Sequence, residues 1–194
     1  RLAVFSCANL AVGAGETQQT SLRTYGRAAQ LDAARDYDAM IHLGDYIYEH
    51  GDARHQPTTE LNSLSDYRQR LGQYRSNADL QAAHASNPFI TIWDDHEIAN
   101  DSYKDGADQH DPNTEGSWID RRDEALQAYY EWMPIREPLL REGTDLGTAS
   151  TPLTQGYRSF DFGDLVSLHM MEPRLSGRDQ QFNLGAVAYP APFQ

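Results

Sequence analysis

The sequence predicts an α/β fold built on a parallel sheet, and three observations carry that prediction. Short apolar runs at Leu2–Phe5, Ala39–Leu43 and Phe89–Ile92 have the length of buried strands, with helical patterns between them. The second and third runs each end in a dense polar segment, Gly44-Asp45-Tyr46-Ile47-Tyr48-Glu49 and Trp93-Asp94-Asp95-His96-Glu97. Open α/β sheets place their ligands at such strand ends. At 194 residues and 39% hydrophobic content, the chain can bury a sizeable core, most simply as one domain over 1–194.

Taken in order, the first strand ends at Ser6-Cys7-Ala8-Asn9. Leu22–Arg35, rich in Ala, Leu and Arg after a Gly/Thr/Gln-rich loop, reads as a helix. With the strand Ala39–Leu43 it completes a β-α-β unit, for which a parallel, right-handed crossover is expected. That crossover brings Cys7 and Asp45 to one carboxyl edge of the sheet. A polar loop, 49–62, leads to Ser63-Leu64-Ser65-Asp66, a capping-box pattern opening a helix to about Tyr74. Asn77 can cap a short helix, Ala78–Ala85. The strand Phe89–Ile92 then delivers Asp94, Asp95 and His96 to the same edge.

Residues 100–116 form a Gly/Asp/Asn-rich loop. From Trp118 to Met133, apolar residues at Ile119, Leu126, Tyr130 and Met133 make a helical stripe, and Pro134 follows it. Residues 137–155 read as loop. Tyr157–Phe162 and Leu165–Met170 read as a hairpin around Gly163-Asp164, and 185–194 as an extended segment.

Sixteen Lys and Arg against 29 Asp and Glu leave a net charge of −13. Nucleic-acid grooves and contacts with anionic membranes need clustered positive charge, so neither is expected. No apolar run approaches the ~20 residues of a membrane span. An acidic surface repels phosphate, so a phosphate site here would need local metal charge. The single cysteine, Cys7, excludes an internal disulfide and is free, metal-bound or intermolecular.

The polar segments carry hard-donor metal ligands, which makes a metal-dependent hydrolase the leading reading. The two oxygens of Asp45 can bridge two cations about 3.5–4 Å apart. Tyr48 can return to the same centre. With an ordinary phenol pKa of about 10, it would bind as phenolate only to a strong Lewis acid, typically trivalent. Asp45 as a helix cap and Tyr48 as a core residue is the plainer account of both. Four consecutive polar residues, Asp94–Glu97, follow a buried strand. Burying them unpaired costs several kcal/mol per group, so cations or water must compensate. Asp94 or Asp95 can supply oxygen ligands, and His96 can be a ligand or a proton donor to a leaving alkoxide.

Asn9 and Asn100 can add carbonyl ligands to a calcium-like ion, though turn formation accounts for both. His42 reads as a satisfied core residue, whereas His50, His55, His84, His110 and His169 show no second ligand at metal spacing. Arg174 or Arg178 can clamp a phosphate as a fork-shaped donor; an exposed arginine paired with Asp179 or Glu172 is the competing account of either.

Several motifs occur in the order seen in one family: Phe5-Ser6-Cys7-Ala8-Asn9, His42-Leu43-Gly44-Asp45-Tyr46-Ile47-Tyr48-Glu49, Asp66-Tyr67-Arg68, Trp93 through Asp101, Glu115-Gly116, and Tyr130 through Arg136. On these the chain resembles the PhoD-like alkaline phosphatases along nearly its whole length. The resemblance implies a calcineurin-like metallophosphoesterase core, a β-sandwich flanked by helices, of which this chain supplies the N-terminal half. It also implies phosphomonoesterase and phosphodiesterase activity with a ferric ion (Fe3+) and calcium (Ca2+), on a small phosphate-ester substrate, in an extracellular or periplasmic protein. Carried over by position, Cys7, Asp45 and Tyr48 look like ferric-ion ligands with Asp45 bridging. Asp95 stands at the second metal, His96 next to the phosphate, and Asn100 at the calcium site.

Family members continue with a later Gly-Asp-x-His segment, so the resemblance implies a catalytic domain truncated at the C-terminus. Glu172-Pro173-Arg174 also departs from the family's Glu-Thr-Arg or Asp-Thr-Arg. The expected chemistry is hydrolysis by a metal-activated hydroxide with His96 assisting the leaving group. The alternatives are a cation-binding fragment without turnover, and an unrelated hydrolase using the Asp94/Asp95 pair.

Overall fold

We describe residues 1–10, 22–135 and 154–181 of a computed structural model. The chain runs β1 (Leu2–Phe5), α1 (Arg23–Arg35), β2 (Ala39–His42), α2 (Leu64–Arg75), α3 (Ala78–Ser86), β3 (Phe89–Thr91), α4 (Trp118–Trp132), β4 (Arg158–Phe162) and β5 (Val166–Met170). The expected α/β class holds. β1, β2 and β3 form a parallel sheet in that order. Its register runs from Leu2 opposite Ala39 to Phe5 opposite His42, and from Met40 opposite Phe89 to His42 opposite Thr91.

The β1–β2 pairing does not stop where the strands end. Leu43 N–H donates to Phe5 O at 2.9 Å, Cys7 N–H to Gly44 O at 3.1 Å and Ala8 N–H to Asp45 O at 2.7 Å. The two strand-end loops are thereby laced together, and Cys7 is carried to Asp45.

The helices start where local chemistry says they should. Asp66 N–H donates to Ser63 Oγ at 3.3 Å while Ser63 N–H donates to the Asp66 carboxylate at 3.0 Å, the reciprocal capping expected for α2. Asn77 Oδ1 accepts the N–H groups of Asp79 and Leu80 at the head of α3. α1 packs on α3, and α2 on α4. Gly26 permits the first contact, because a Cβ there would lie 2.1 Å from the Asp79 carboxylate.

Between helices and sheet lies the core, with Met40, Tyr46, Tyr67, Leu71, Trp93 and Leu126 fully buried or nearly so. α4 departs from its expected stripe. Leu126, Tyr130 and Met133 are buried, but Ile119 is only half-buried and Arg121 is fully inside. A buried guanidinium is tolerable only with partners. Arg121 has Glu60 at 2.8 Å, Glu115 at 3.0 Å and the Tyr67 hydroxyl at 3.1 Å.

β4 and β5 form the expected antiparallel hairpin, with Phe162 opposite Val166 and Gly163 at φ +60° in the turn. Phe160, Phe162 and Leu168 pack against the core. The loop expected over 100–116 is present, with one isolated bridge between Tyr103 and Gly106. The Gly/Thr/Gln-rich loop at 11–21, the expected loop from 137 as far as 153, and the segment 185–194 lie outside the described residues. Among the described residues no helix is long and apolar enough to cross a membrane.

Candidate metal centre

Two loops, after β2 and β3, meet at the carboxyl edge of the sheet, and glycine sets how closely. Gly44 has φ +107°, and a Cβ on it would lie 2.4 Å from the Asp94 backbone nitrogen. Cys7 and Asp45 sit in the left-handed region at φ 58° and 55°. That conformation costs a non-glycine residue roughly 1–2 kcal/mol, so the surrounding hydrogen bonds must hold it.

Asp45 is the hub. Its Oδ2 accepts from the Cys7 thiol at 3.4 Å and from the Tyr48 hydroxyl at 3.2 Å. Its Oδ1 is buried and has no hydrogen-bond partner. Burial raises the Asp45 pKa; the nearby His96 opposes the shift, while Asp95 and Asp94 add to it. Burial likewise pushes the Tyr48 phenol well above its ordinary range, reinforced by Asp45 and Cys7. A buried carboxylate oxygen without a partner, on a group whose other oxygen meets a thiol and a phenol, is an acceptor that a cation could satisfy.

From the second loop come Asp95 and His96. Asp45, Asp95 and His96 each bring one ligand atom within 4.8 Å of the others. Asp95 Oδ2 also accepts the Asp101 N–H at 2.7 Å, and Asp101 is itself left-handed at φ 53°. Cys7, Asp45, Tyr48 and Asp95 thus bring thiol, carboxylate and phenol donors together, with the His96 imidazole beside them, and one Asp45 oxygen has no other partner. Asp45 caps no helix, since the chain stays irregular from Leu43 to Asn62.

Two further carboxylates hold this arrangement. Glu97, fully buried, accepts Asp94 N–H at 2.8 Å on Oε2 and Tyr46 N–H on Oε1, tying the loops together. Burial raises its pKa to about 8 against the pull of those two donors. Glu49 is also buried. Its Oε2 lies 2.7 Å from His96 Nδ1, and its Oε1 accepts the Asn100 N–H at 2.7 Å. Burial opposes a charged His96, but the Glu49 hydrogen bond and charge, with Asp95 and Asp45, outweigh it and push the imidazole up to about 9.

Arg174 enters this cluster and Arg178 does not. Arg174 Nε donates to Asp94 Oδ1 at 2.7 Å, and its terminal nitrogens lie 3.5 Å from Asp95 and 3.8 Å from Asp101. Neither Asp179 nor Glu172 takes its side chain. Asp179 is held by Lys104, and the Glu172 carboxylate accepts Trp93 Nε1–H at 2.9 Å and the N–H groups of Arg174, Leu175 and Ser176. Arg178 instead donates to Gln181 at 2.8 Å. Asn100 reaches the cluster through its backbone, while its side-chain amide donates to Asp101.

His42 is buried as expected, with Nε2 2.7 Å from the Tyr25 hydroxyl, but it is not fully satisfied, because its Nδ1 is buried without a hydrogen-bond partner. The expectation for His50 is corrected: Glu49, His50 and His96 also bring ligand atoms within 4.8 Å of one another. Sequence spacing could not pair His50 with His96, because the pairing crosses from one loop to the other. Glu49 and Glu97 stand in the quoted motifs, yet neither was assigned a role. The cost of burying charge, weighed above for all of Asp94–Glu97, applies equally to Glu49 and would have marked it.

The chain is similar to known proteins along most of its length. The model for the PhoD-like phosphatases matches residues 2–191. Alkaline phosphatase D of Bacillus subtilis (strain 168) is 39% identical over 170 residues, covering 83% of this chain and 27% of that protein. A solved structure of PhoD aligns with a TM-score of 0.74 at 34% identity, over 94% of this chain and 32% of that one. The chain thus spans about a third or less of the length of these relatives. A match from the second residue to within a few of the last leaves no doubt of kinship, and the chain belongs to the PhoD-like phosphatase family.

Proposed function

We propose that this protein hydrolyses phosphate monoesters and diesters with the help of two bound cations, Fe3+ at Cys7, Asp45 and Tyr48, and Ca2+ at Asp95 with Asn100. The observation that carries the reading is Asp45: one oxygen held by a thiol and a phenol, the other buried without a partner, and Asp95 and His96 within ligand distance. When bound, the cations would supply Lewis acidity that activates water and offsets the charge of the phosphate. The remaining roles fall to side chains. His96 donates a proton to the leaving oxygen. Arg174, whose Nη1 is buried without a hydrogen-bond partner, offers donors to a phosphate oxygen. Arg178, committed to Gln181, is left out of the proposed site. An extracellular or periplasmic location, which ferric iron suits, belongs to the same proposal.

The test is hydrolysis of 4-nitrophenyl phosphate and bis(4-nitrophenyl) phosphate after supplying iron and calcium, with metal analysis of the same sample. Turnover of both esters with both metals retained, and loss of both in Asp45→Asn, is expected. Retained metal with no turnover would favour cation binding without catalysis. Neither metal nor turnover would remove the reading altogether.

A further inference from the structure

From Leu43 to Asn62 the chain has no helix or strand to fix it, yet Tyr48 aims its phenol at Asp45. Leu61 N–H donates to Glu49 O at 3.0 Å, and further bracing comes from side chains of α2. Arg70, fully buried, directs every nitrogen of its guanidinium at main-chain oxygens. Nη1 donates to Tyr48 O and to His50 O, the latter at 3.0 Å. Nη2 donates to Pro57 O at 2.9 Å, and Nε to Gln56 O at 3.3 Å. Gln73, also on α2, accepts Gln56 N–H at 2.8 Å and donates to Arg54 O at 2.7 Å. One turn beyond Arg70, Tyr74 Oη accepts Leu10 N–H at 3.2 Å, so the same helix braces the loop that carries Cys7.

We infer that Arg70 is a positioning residue for Tyr48, holding the main chain at Tyr48 and His50 so that the phenol meets Asp45. The inference rests on the reading of Tyr48 as a ferric-ion ligand given above. A side chain is aimed only as well as its own backbone is held, and an irregular loop has no ladder of its own to do this. Burying a guanidinium is costly unless its donors find acceptors. Four carbonyls from two stretches of one loop, 48–50 and 56–57, meet that need and are themselves fixed by it. The planar fork of arginine presents donors in several set directions at once, whereas the ammonium of lysine on a flexible stem does not span the same set. The loop is thereby closed around the guanidinium, with Tyr48 O as one of its fixed points. Groups that orient a metal ligand without touching the metal change affinity by about 10–100-fold when removed.

The test compares the iron-loaded full chain with Arg70→Lys and Arg70→Met, each checked for intact secondary structure by circular dichroism. Both variants should bind ferric ion on the order of 10–100-fold more weakly in competition with a chelator. The charge-transfer absorbance per bound iron should fall or shift, more in Arg70→Met than in Arg70→Lys. Adding Arg70→Met to Tyr48→Phe should leave the residual band of Tyr48→Phe where it is, because the arginine acts through that phenol. A wild-type band in a folded, iron-loaded single variant, or a further shift in the double variant, would overturn the assignment. So would failure of both single variants to fold, which would make Arg70 a purely structural residue. A wild type that takes up no iron would sink the ferric reading alone. Amide exchange of the metal-free protein then decides the role of Arg70. Exchange over Tyr46–His50 should quicken in Arg70→Lys and stay unchanged in α1 and α3; no local change would refute the positioning role.

Discussion

Glu97 Oε2 accepts the backbone N–H of Asp94 at 2.8 Å, and the other oxygen of the same carboxyl takes the N–H of Tyr46. One buried side chain thus spans the loops that carry Asp45 and Asp95. Glu97→Gln turns one acceptor into a donor facing an N–H and should cost about 1–3 kcal/mol. Urea denaturation measures it; a neutral effect would show that the two N–H groups find other partners.

Asp45 should trade stability for function. Its partnerless buried oxygen and raised pKa mark it as unfavourable in the metal-free fold. Asp45→Asn should therefore leave metal-free stability unchanged or raise it by up to about 1 kcal/mol, while abolishing retention of iron. Thermal melts in chelator, paired with metal analysis, check both halves. A large loss of stability in chelator would contradict the idea that Asp45 awaits a cation.

Stability of the metal-free protein should peak near pH 6.5. Burial holds His42 and His84 neutral, with pKa values near 3 against an ordinary 6.5. Their folded values are depressed, so the unfolded chain takes up more protons and stability falls as pH drops from 6.5 toward 3. Glu97, raised to about 8, and His96, raised to about 9, act in the opposite sense. Their contributions are full below the unfolded values of 4.5 and 6.5 and are lost as pH rises through 8 and 9. Melting temperatures across this range should form a dome, and His42→Gln should flatten its acid limb. A profile rising steadily to pH 9 would be inconsistent with these burials.

Arg174 stands in for positive charge among Asp94, Asp95 and Asp101. Arg174→Ala should destabilise the metal-free protein by about 1–3 kcal/mol, because it strands partly buried carboxylates. Added calcium should restore more of the melting temperature in the variant than it adds to wild type. If calcium stabilises both equally, the three carboxylates do not share a cation.

Tyr48 carries an optical prediction. Thiolate and phenolate on ferric iron give visible charge-transfer absorption, so the iron-loaded protein should be coloured. Tyr48→Phe should weaken or shift the band. An unchanged spectrum would take Tyr48 out of the ligand set.

Much of this was legible in the chain order of residues. Strand runs of four or five apolar residues, the Ser63/Asp66 capping box, the Asn77 cap and the Gly163 turn are local signals whose energetics are complete within a few residues. The β-α-β order also dictated that Cys7 and Asp45 share an edge, since a parallel pairing of β1 with β2 leaves no other place for them. What the order could not contain were the partners of charges. Arg121 lies inside a helix face because Glu60 and Glu115 reach it from separate loops. The Arg174 guanidinium bonds Asp94 from eighty residues away rather than the acids beside it. Glu49 meets His96, and Glu97 meets Tyr46, only after two loops pack together. Hydrophobic periodicity is a property of one segment, whereas the desolvation of a charge is settled by whatever the whole fold brings against it.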